Sequence, residues 1–360
     1  MSDGSTTAVV RRVMPVVPPL DARAIPDAAH REALAALADL TGAAARLGDP
    51  DLFHRPRLRR LLHRRHLAGT DPEQLAEQLA TAAESRVAAG LLAVHSVRAE
   101  LAEQPGRRPC FTPDALADLH AALVAGDPNI PSPGGFRRSK ARVTWPDGRV
   151  VIVPVAPGAE LRTHVERWNA WGTATVSAPL DAAALAMAQL LTIHPFPDAN
   201  GRMARLLGQC DLVAAGLLPG LLLDLDGWVP AHRIEHDEAL VAASDGELSR
   251  WGEVFARAVT ETARHRTATV RHYGALLDEA IGRAAGDPAA AAVLAQLAAT
   301  PAVSAGWLRE RIPYDPHPPL ARLERSGVLA AHPRLPGALV HPQLLAVLDT
   351  PFGESPDSRS

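Results

Sequence analysis

Apolar residues recur at the three- and four-residue spacing of helices along most of the chain. Stretches with this spacing, bounded by Gly, Pro and capping residues, predict helices at 27–47, 73–103, 113–125, 159–171, 181–192, 200–215 and within 229–283. Asp181 is the expected N-cap of its helix. The pattern therefore predicts a mainly α fold.

Two parts of the chain depart from the helical period. β-rich runs on either side of Pro146-Asp147-Gly148 predict a hairpin over residues 142–153. After residue 288 the pattern is helix, turn, helix and then short strands up to residue 348, which resembles a winged helix. One hairpin and one small C-terminal module are therefore expected beside the helices.

The composition narrows the class of protein. The 360 residues are enough for two or three modules, and an aromatic content of 4% favours packed helices over β-sandwiches. The 37 basic and 40 acidic residues nearly balance, so no overall charge attracts nucleic acid or an anionic membrane. No apolar run is long enough to span a bilayer. With cysteines only at 110 and 210, a cytoplasmic location is expected.

The window HPFPDANGRMAR, which begins at His194, concentrates residues suited to binding phosphate. Turn-forming residues lead into a helix whose first N–H groups and dipole attract anions, and Arg202 and Arg205 share one face of that helix. Asp198 offers a hard oxygen ligand for Mg²⁺, and His194 can accept a proton near neutral pH. Phe196 is expected to anchor the loop in the core.

This window closely resembles the Fic signature HxFx[DE]GNGRxxR, from which it departs at Ala199, where the family has Gly. The segment GFRRS at 135–139 is similar to the family's GxFRxS segment, and the predicted hairpin stands where the family's flap does. Segments 55–60 and 216–220 are also similar to parts of the larger Fic proteins. The resemblance covers roughly residues 28–348.

The resemblance implies a mainly α chain: a Fic-fold helical bundle with a β-hairpin flap, followed by a C-terminal winged-helix-like module. The expected divisions are an N-terminal arm at 1–26, an N-terminal helical region at 27–112, the Fic core at 113–266, a connecting helix at 267–287, the winged-helix-like module at 288–348 and a disordered tail at 349–360. The flap at 142–153 and the motif at 194–205 both fall in the core.

The activity implied by the resemblance is nucleotidyl transfer, most often of AMP from ATP to a Ser, Thr or Tyr hydroxyl of a protein. His194 would then take the hydroxyl proton, and Asp198 would hold Mg²⁺ across the α- and β-phosphates. The residues expected to bind the phosphates are Ala199, Asn200, Gly201, Arg202 and Arg205. The flap residues Val143, Thr144 and Trp145 would align the target by strand addition.

Three departures from the family pattern bear on function. Ala68 stands where many members carry an inhibitory Glu, so this form of autoinhibition is expected to be missing. Ala199 adds a methyl group where the family's Gly lets phosphate approach, and we expect it to alter the phosphate position. His236 and Asp237 replace the paired tyrosines that enclose the base in the family, which weakens the case for adenine.

Other functions stay open at this point. The same site is compatible with another nucleotide, with transfer of phosphate or phosphocholine, or with a small-molecule acceptor. A nucleotide-sensing regulator that binds DNA through residues 288–348 is a further alternative, although Pro316, Pro318 and Pro319 stand where its recognition helix would begin.

His232 and His236 have the spacing of a metal-binding pair, but the sequence offers no obvious third ligand, so a surface helix is favoured. No membrane partner is expected, and a homodimer stays open.

Overall fold

The computed structural model describes residues 17–48, 50–53, 108, 110–124, 130, 132–141, 143–144, 150–152, 155–300, 302–331, 337–348 and 350–355. The α-helices in these ranges are α1 (Asp27–Ala44), α2 (Pro113–Leu123), α3 (Ala159–Ala174), α4 (Pro179–Ile193), α5 (Asn200–Ala214), α6 (Leu225–Ala231), α7 (Arg233–Ser244), α8 (Leu248–Arg283), α9 (Pro288–Ala295), α10 (Ala305–Leu308), α11 (His317–Arg325) and α12 (Pro342–Leu348). Short 3₁₀ helices cover Pro50–Phe53 and Gln296–Ala298. The mainly α prediction is confirmed, and the helix predicted at 73–103 lies outside the described residues.

The strands are β1 (Val143–Thr144), β2 (Val150–Ile152), β3 (Ala302–Ser304), β4 (Ala330–Ala331) and β5 (Ala338–Val340). Strands β1 and β2 pair antiparallel, as predicted for the hairpin. Strands β3, β5 and β4 form a second antiparallel sheet in that order, in which Val303 lies opposite Leu339.

Helix α4 is buried on all sides and carries the segment that leads into the motif. Its sequence is rich in Ala and Leu, which allows neighbouring helices to approach closely on every face. Two tryptophans from other helices donate their indole N–H groups to its backbone: Trp168 to the carbonyl of Ala186 at 2.9 Å, and Trp251 to that of Ala184 at 2.7 Å. The middle of α4 is therefore held by hydrogen bonds from two neighbouring helices.

The N-terminal end of α4 differs from the prediction. The helix begins at Pro179 with Ala178 as its N-cap, so the assignment of Asp181 as N-cap was wrong. The buried carboxylate of Asp181 instead accepts the backbone N–H groups of Ala24 and Ile25, at 2.7 and 2.8 Å. A long-range partner replaces the local one because two N–H groups ahead of α1 need an acceptor in the core.

The chain divides into two compact units, each built from separate stretches of the sequence. One unit comprises residues 1–34, 89–217 and 228–260, and it contains the hairpin and the motif. The other comprises residues 35–88, 218–227 and 261–360 and contains the three-stranded sheet. In this second unit the buried hydroxyl of Tyr273 donates to the carbonyl of Leu297 at 2.5 Å. The finer predicted boundaries and the winged-helix character of residues 288–348 stay predictions.

Within the part of the chain that the structure describes, none of the helices combines the length and the apolar character needed to cross a membrane.

Candidate active site

The motif loop connects α4 to α5 and begins and ends in a left-handed backbone conformation. His194 has φ 52° and ψ 61°, and Ala199 has φ 64° and ψ 8°. They are the two non-glycine residues with positive φ in the described ranges. Because this conformation is unfavourable for residues with a Cβ, both ends of the loop must be held by other interactions.

Asn200 closes the loop with its side chain. Its Oδ1 accepts the N–H of Phe196 at 2.9 Å, and its Nδ2 donates to the carbonyl of Phe196 at 2.8 Å. The residue is only 2% exposed, so both of its polar atoms are used inside the protein. The side chain of Asn200 therefore shapes the loop, and a contribution of this residue to an anion site would come from its backbone.

A stacked pair of aromatic rings packs the motif loop against helix α2. Phe196 is fully buried, as predicted, and its ring lies parallel to that of His120 at a centroid distance of 3.8 Å. His120 Nε2 donates to the carbonyl of Asp198 at 3.2 Å, and His120 Nδ1 accepts the N–H of Gly134 at 2.9 Å. Burial lowers the pKa of His120 to about 4, so the neutral ring that these two bonds require is the stable form.

His194 has the properties of a general base. Its Nδ1 lies 3.3 Å from the carbonyl of Leu191, which only an N–H can bond, so the proton is on Nδ1 and the lone pair is on Nε2. Burial lowers its pKa to about 4, and the ring is therefore neutral at physiological pH. A neutral imidazole with a lone pair on Nε2 can accept a proton from a hydroxyl group.

The arginines of the motif lie on the first turns of α5. The first intrahelical hydrogen bond runs from the N–H of Met203 to the carbonyl of Ala199, so the N–H groups of the preceding turn are positioned to face an anion. The guanidinium of Arg205 folds back over Gly201, where an added Cβ would lie 2.9 Å from its Nη1. Because Gly201 has no side chain, the guanidinium of Arg205 can lie close to the backbone at the N-terminus of the helix.

Asp198 is the predicted metal ligand. One of its carboxylate oxygens accepts the N–H of Ala199, which orients the side chain within the loop. No cluster of three or more His, Cys, Asp or Glu side chains suited to a metal occurs among the described residues. A single carboxylate still fits Mg²⁺, because this ion takes most of its ligands from water and substrate phosphates at nucleotide sites.

Comparison with known proteins agrees with this geometry. Residues 110–210 match the family model described as the Fic/DOC family. This match identifies residues 110–210 as a Fic/DOC domain. It is similar to Protein adenylyltransferase Fic of Aedes aegypti, with 36% identity over 117 residues, and to Protein adenylyltransferase fic-1 of Caenorhabditis elegans, with 30% identity over 163 residues.

These alignments are partial on both sides. They cover 32% and 44% of this chain, and the chain spans only 21% and 28% of the length of those two relatives. The crystal structure of a Fic family protein from Desulfovibrio desulfuricans G20 matches 89% of this chain and 97% of its own, with a TM-score of 0.50 and 16% identity. This likeness supports the Fic fold that the sequence predicted.

The flap of the Fic/DOC domain is described only in part. Val143 lies opposite Ile152 and Thr144 lies opposite Val150, with an irregular register between the two pairs. The turn between the strands, including Trp145, lies outside the described residues, as does the predicted inhibitory position Ala68. The roles assigned to Val143, Thr144, Trp145 and Ala68 therefore stay predictions.

The predicted base-side residues lie on the buried face of α7, which exposes its other face to solvent at Ile234. His236 Nδ1 and Asp237 Oδ1 lie 2.9 Å apart, and Arg233 Nε donates to Asp237 Oδ2 at 2.5 Å. The ring of His236 meets Trp251 edge to face. His232, its possible metal partner, instead stacks on Trp228. A part for His236 and Asp237 in enclosing a base stays a prediction.

A groove of about 690 Å³ runs beside the motif of the Fic/DOC domain. Its walls come from the start of α2, from the segment before the flap, from the segment after it and from Pro197 of the motif loop. Charged side chains line it, including Arg138 and the ion pair of Arg162 with Asp114 at 2.7 Å. The groove therefore lies beside Pro197 of the motif loop, between α2 and the segments that flank the flap.

Sequence reasoning did not identify His120, although a signal was available. It is the only histidine in the otherwise Ala- and Leu-rich predicted helix 113–125, and it falls on the face that carries Leu116 and Leu119. A polar ring on a buried face needs partners for both nitrogens. Nothing in the sequence indicated that those partners would be the motif loop and the segment before the flap.

Proposed function

We propose that this chain is a Fic-type protein adenylyltransferase, which transfers AMP from ATP to a hydroxyl side chain of a protein or of the chain itself. The observation that carries the proposal is the position of His194, a neutral imidazole held at the start of a loop that ends in the N-terminus of α5. A base and an anion site belong together in a reaction of a hydroxyl with a phosphate ester.

In the proposed reaction, the Nε2 atom of His194 takes the proton of the target hydroxyl. The hydroxyl oxygen attacks the α-phosphorus in line, and the bond from this phosphorus to the α,β-bridging oxygen breaks. Pyrophosphate leaves with the electron pair of that bond. The protein acceptor keeps AMP as a phosphodiester, and His194 holds the proton until it passes to solvent.

The phosphates would be held by the N-terminus of α5. The N–H groups of Asn200, Gly201 and Arg202 and the guanidinium groups of Arg202 and Arg205 supply positive charge there. Mg²⁺ held by Asp198 would neutralise charge on the α- and β-phosphates. With Ala in place of Glu at position 68, no internal carboxylate would compete for Arg205 in the way described for the family.

The target would bind along the flap and in the groove beside it. Main-chain hydrogen bonds to a strand edge require no particular side chain, which fits a site that accepts an extended segment of a protein. The groove bounded by Pro197 and the segments on either side of the flap leads such a segment toward the motif loop.

Incubation with α-labelled or γ-labelled ATP, GTP, CTP and UTP tests this proposal. We expect label on protein from α-labelled ATP, none from γ-labelled ATP, and none with the His194→Ala variant. His164→Ala removes another buried histidine of the same unit and serves as the matched control, which should still transfer label. Label from γ-labelled ATP alone, or transfer that survives in His194→Ala, would contradict the proposal.

A further inference from the structure

Arg137 is a buried arginine with no acidic partner among its described hydrogen bonds. It is 3% exposed, and burial lowers the pKa of its guanidinium. All four of its side-chain hydrogen bonds in the structure go to backbone carbonyl groups. A buried guanidinium is costly unless its donors are satisfied, so this arrangement needs an explanation.

Two of these carbonyls lie at the end of α4. Arg137 Nε donates to the carbonyl of His194 at 2.6 Å, and its Nη2 donates to that of Ile193 at 3.3 Å. The backbone N–H of Arg137 also donates to the carbonyl of Pro195 at 3.0 Å. The residue thus binds three successive residues at the point where the chain enters the left-handed conformation of His194.

The other two carbonyls lie on either side of the flap. Arg137 Nη1 donates to the carbonyl of Ser139 at 3.2 Å, ahead of β1, and its Nη2 donates to that of Val155, after β2. One planar group therefore joins both stems of the hairpin to the backbone of the candidate base. Arginine suits this task because its donors are spread over three nitrogens in a fixed plane, whereas the three donors of lysine share one rotating nitrogen.

We infer that Arg137 is a positioning residue for the proposed transfer reaction, which fixes His194 relative to both stems of the flap. The inference rests on the proposed function, because it concerns how a target held by the flap meets the base. A target oxygen must lie within hydrogen-bond distance of Nε2 of His194 while it is aligned with the α-phosphorus. A shift of about 1 Å between the flap and the base would slow such a reaction by up to about a hundredfold.

Arg137→Lys tests the inference, with Arg108→Lys as its matched control. Arg108 is another largely buried arginine of the same unit, and it binds Asp211 at 2.6 Å, away from the motif loop. We expect Arg137→Lys to lower kcat for transfer to protein at least about tenfold, while the Kd for ATP changes less than about twofold. Arg108→Lys should lower Tm by a similar amount without this loss of kcat.

A second measurement does not depend on transfer. Nitrogen NMR of the histidine rings, with His194 assigned by its loss in His194→Ala, should show the Nδ1–H form of His194 in the wild type and a changed ring signal in Arg137→Lys. A wild-type rate and ring signal in Arg137→Lys, or an equal loss of kcat in Arg108→Lys, would overturn the inference. If the wild type transfers no label, the proposed function fails, and the ring signal still decides whether Arg137 positions His194.

Discussion

The ring of His120 stacks on that of Phe196, with the two planes within 5° of parallel. This contact joins helix α2 to the motif loop, 76 residues apart in the chain. The same histidine binds Asp198 on the loop and Gly134 ahead of the flap, so a single neutral ring connects three segments around the candidate site. His120 therefore supports the loop through the ring stack and the bond to Asp198, and its bond to Gly134 connects the loop to the segment ahead of the flap.

Replacing His120 with Phe separates these contributions. His120→Phe keeps a ring for the stack but leaves the N–H of Gly134 and the carbonyl of Asp198 without this partner. We expect a loss of about 1–3 kcal/mol in the free energy of unfolding, measured by urea denaturation, and slower label transfer. His120→Gln, which can bond but not stack, is the complementary variant. Unchanged stability in His120→Phe would show that the two hydrogen bonds contribute nothing net.

Asn200→Asp tests whether the loop is closed by both atoms of the amide. The new carboxylate can still accept the N–H of Phe196, but it cannot donate to the carbonyl of Phe196. It also places negative charge at the N-terminus of α5, where phosphate would bind. We expect at least a tenfold weaker Kd for ATP, measured by calorimetry, and a lower Tm. Asn200→Ala, which removes the side chain without adding charge, should weaken ATP binding less than Asn200→Asp does.

The sequence predicted the local parts of the site better than the parts that depend on tertiary contacts. The motif loop, the helix after it and the burial of Phe196 follow from a twelve-residue window, because turn residues and helix signals act over short distances. The sequence showed Arg137 only as part of a segment similar to GxFRxS and indicated no role for its side chain. Its partners at 193 and 194 are more than 50 residues away, and no spacing rule relates them.

The partners of Asp181 were also not predictable from the sequence, because they lie far away along the chain. Its position near the start of a helix made a local N-cap the natural expectation, because short polar side chains often bond to their own helix. In the fold, two N–H groups ahead of α1 lie within reach of the same carboxylate. A local preference was replaced by a partner that only the assembled core could supply.

A pH-dependent stability is expected from His341 in the second unit. His341 directly precedes α12, and its Nδ1 accepts the N–H of Leu344 in the first turn of that helix at 3.4 Å. Burial and, to a smaller extent, the positive charge of Arg283 lower the pKa of His341, whereas the negative charge of Glu279 raises it. Because the folded state favours the neutral ring, its contribution is complete above the ordinary pKa of about 6.5. It is lost as pH falls below that value, by at most about 1.4 kcal/mol per pH unit.

His341→Asn removes this titration and keeps a side chain that can cap the helix. The free energy of unfolding of the wild type, relative to this variant, should therefore fall between pH 8 and pH 5.5 when both are measured by urea denaturation. An identical pH profile for the two proteins would contradict the prediction.

Ala68→Glu tests the absence of an inhibitory carboxylate. If residues 64–70 correspond to the family's inhibitory segment, the new Glu would pair with Arg205 and occupy the place of the γ-phosphate. We expect slower label transfer and weaker ATP binding, and both should be restored in Ala68→Gln, which has nearly the same shape but no charge. Equal transfer rates in Ala68→Glu and the wild type would show that this segment is not the counterpart of the inhibitory one.

Ala199→Gly restores the residue found in the family signature. The methyl group of Ala199 packs in a small apolar cluster with Val124 and Ile130, and its φ of 64° is unfavourable for alanine. Removing it relieves about 1 kcal/mol of backbone strain, loses about 0.8 kcal/mol of burial and adds freedom to the unfolded chain worth about 0.4–1 kcal/mol. The free energy of unfolding should therefore change by less than about 1 kcal/mol.

Because the methyl group is already accommodated by this cluster, we also expect the Kd for ATP to stay within about threefold. A tenfold gain in affinity would instead show that the methyl group displaces the phosphates, as the sequence led us to expect.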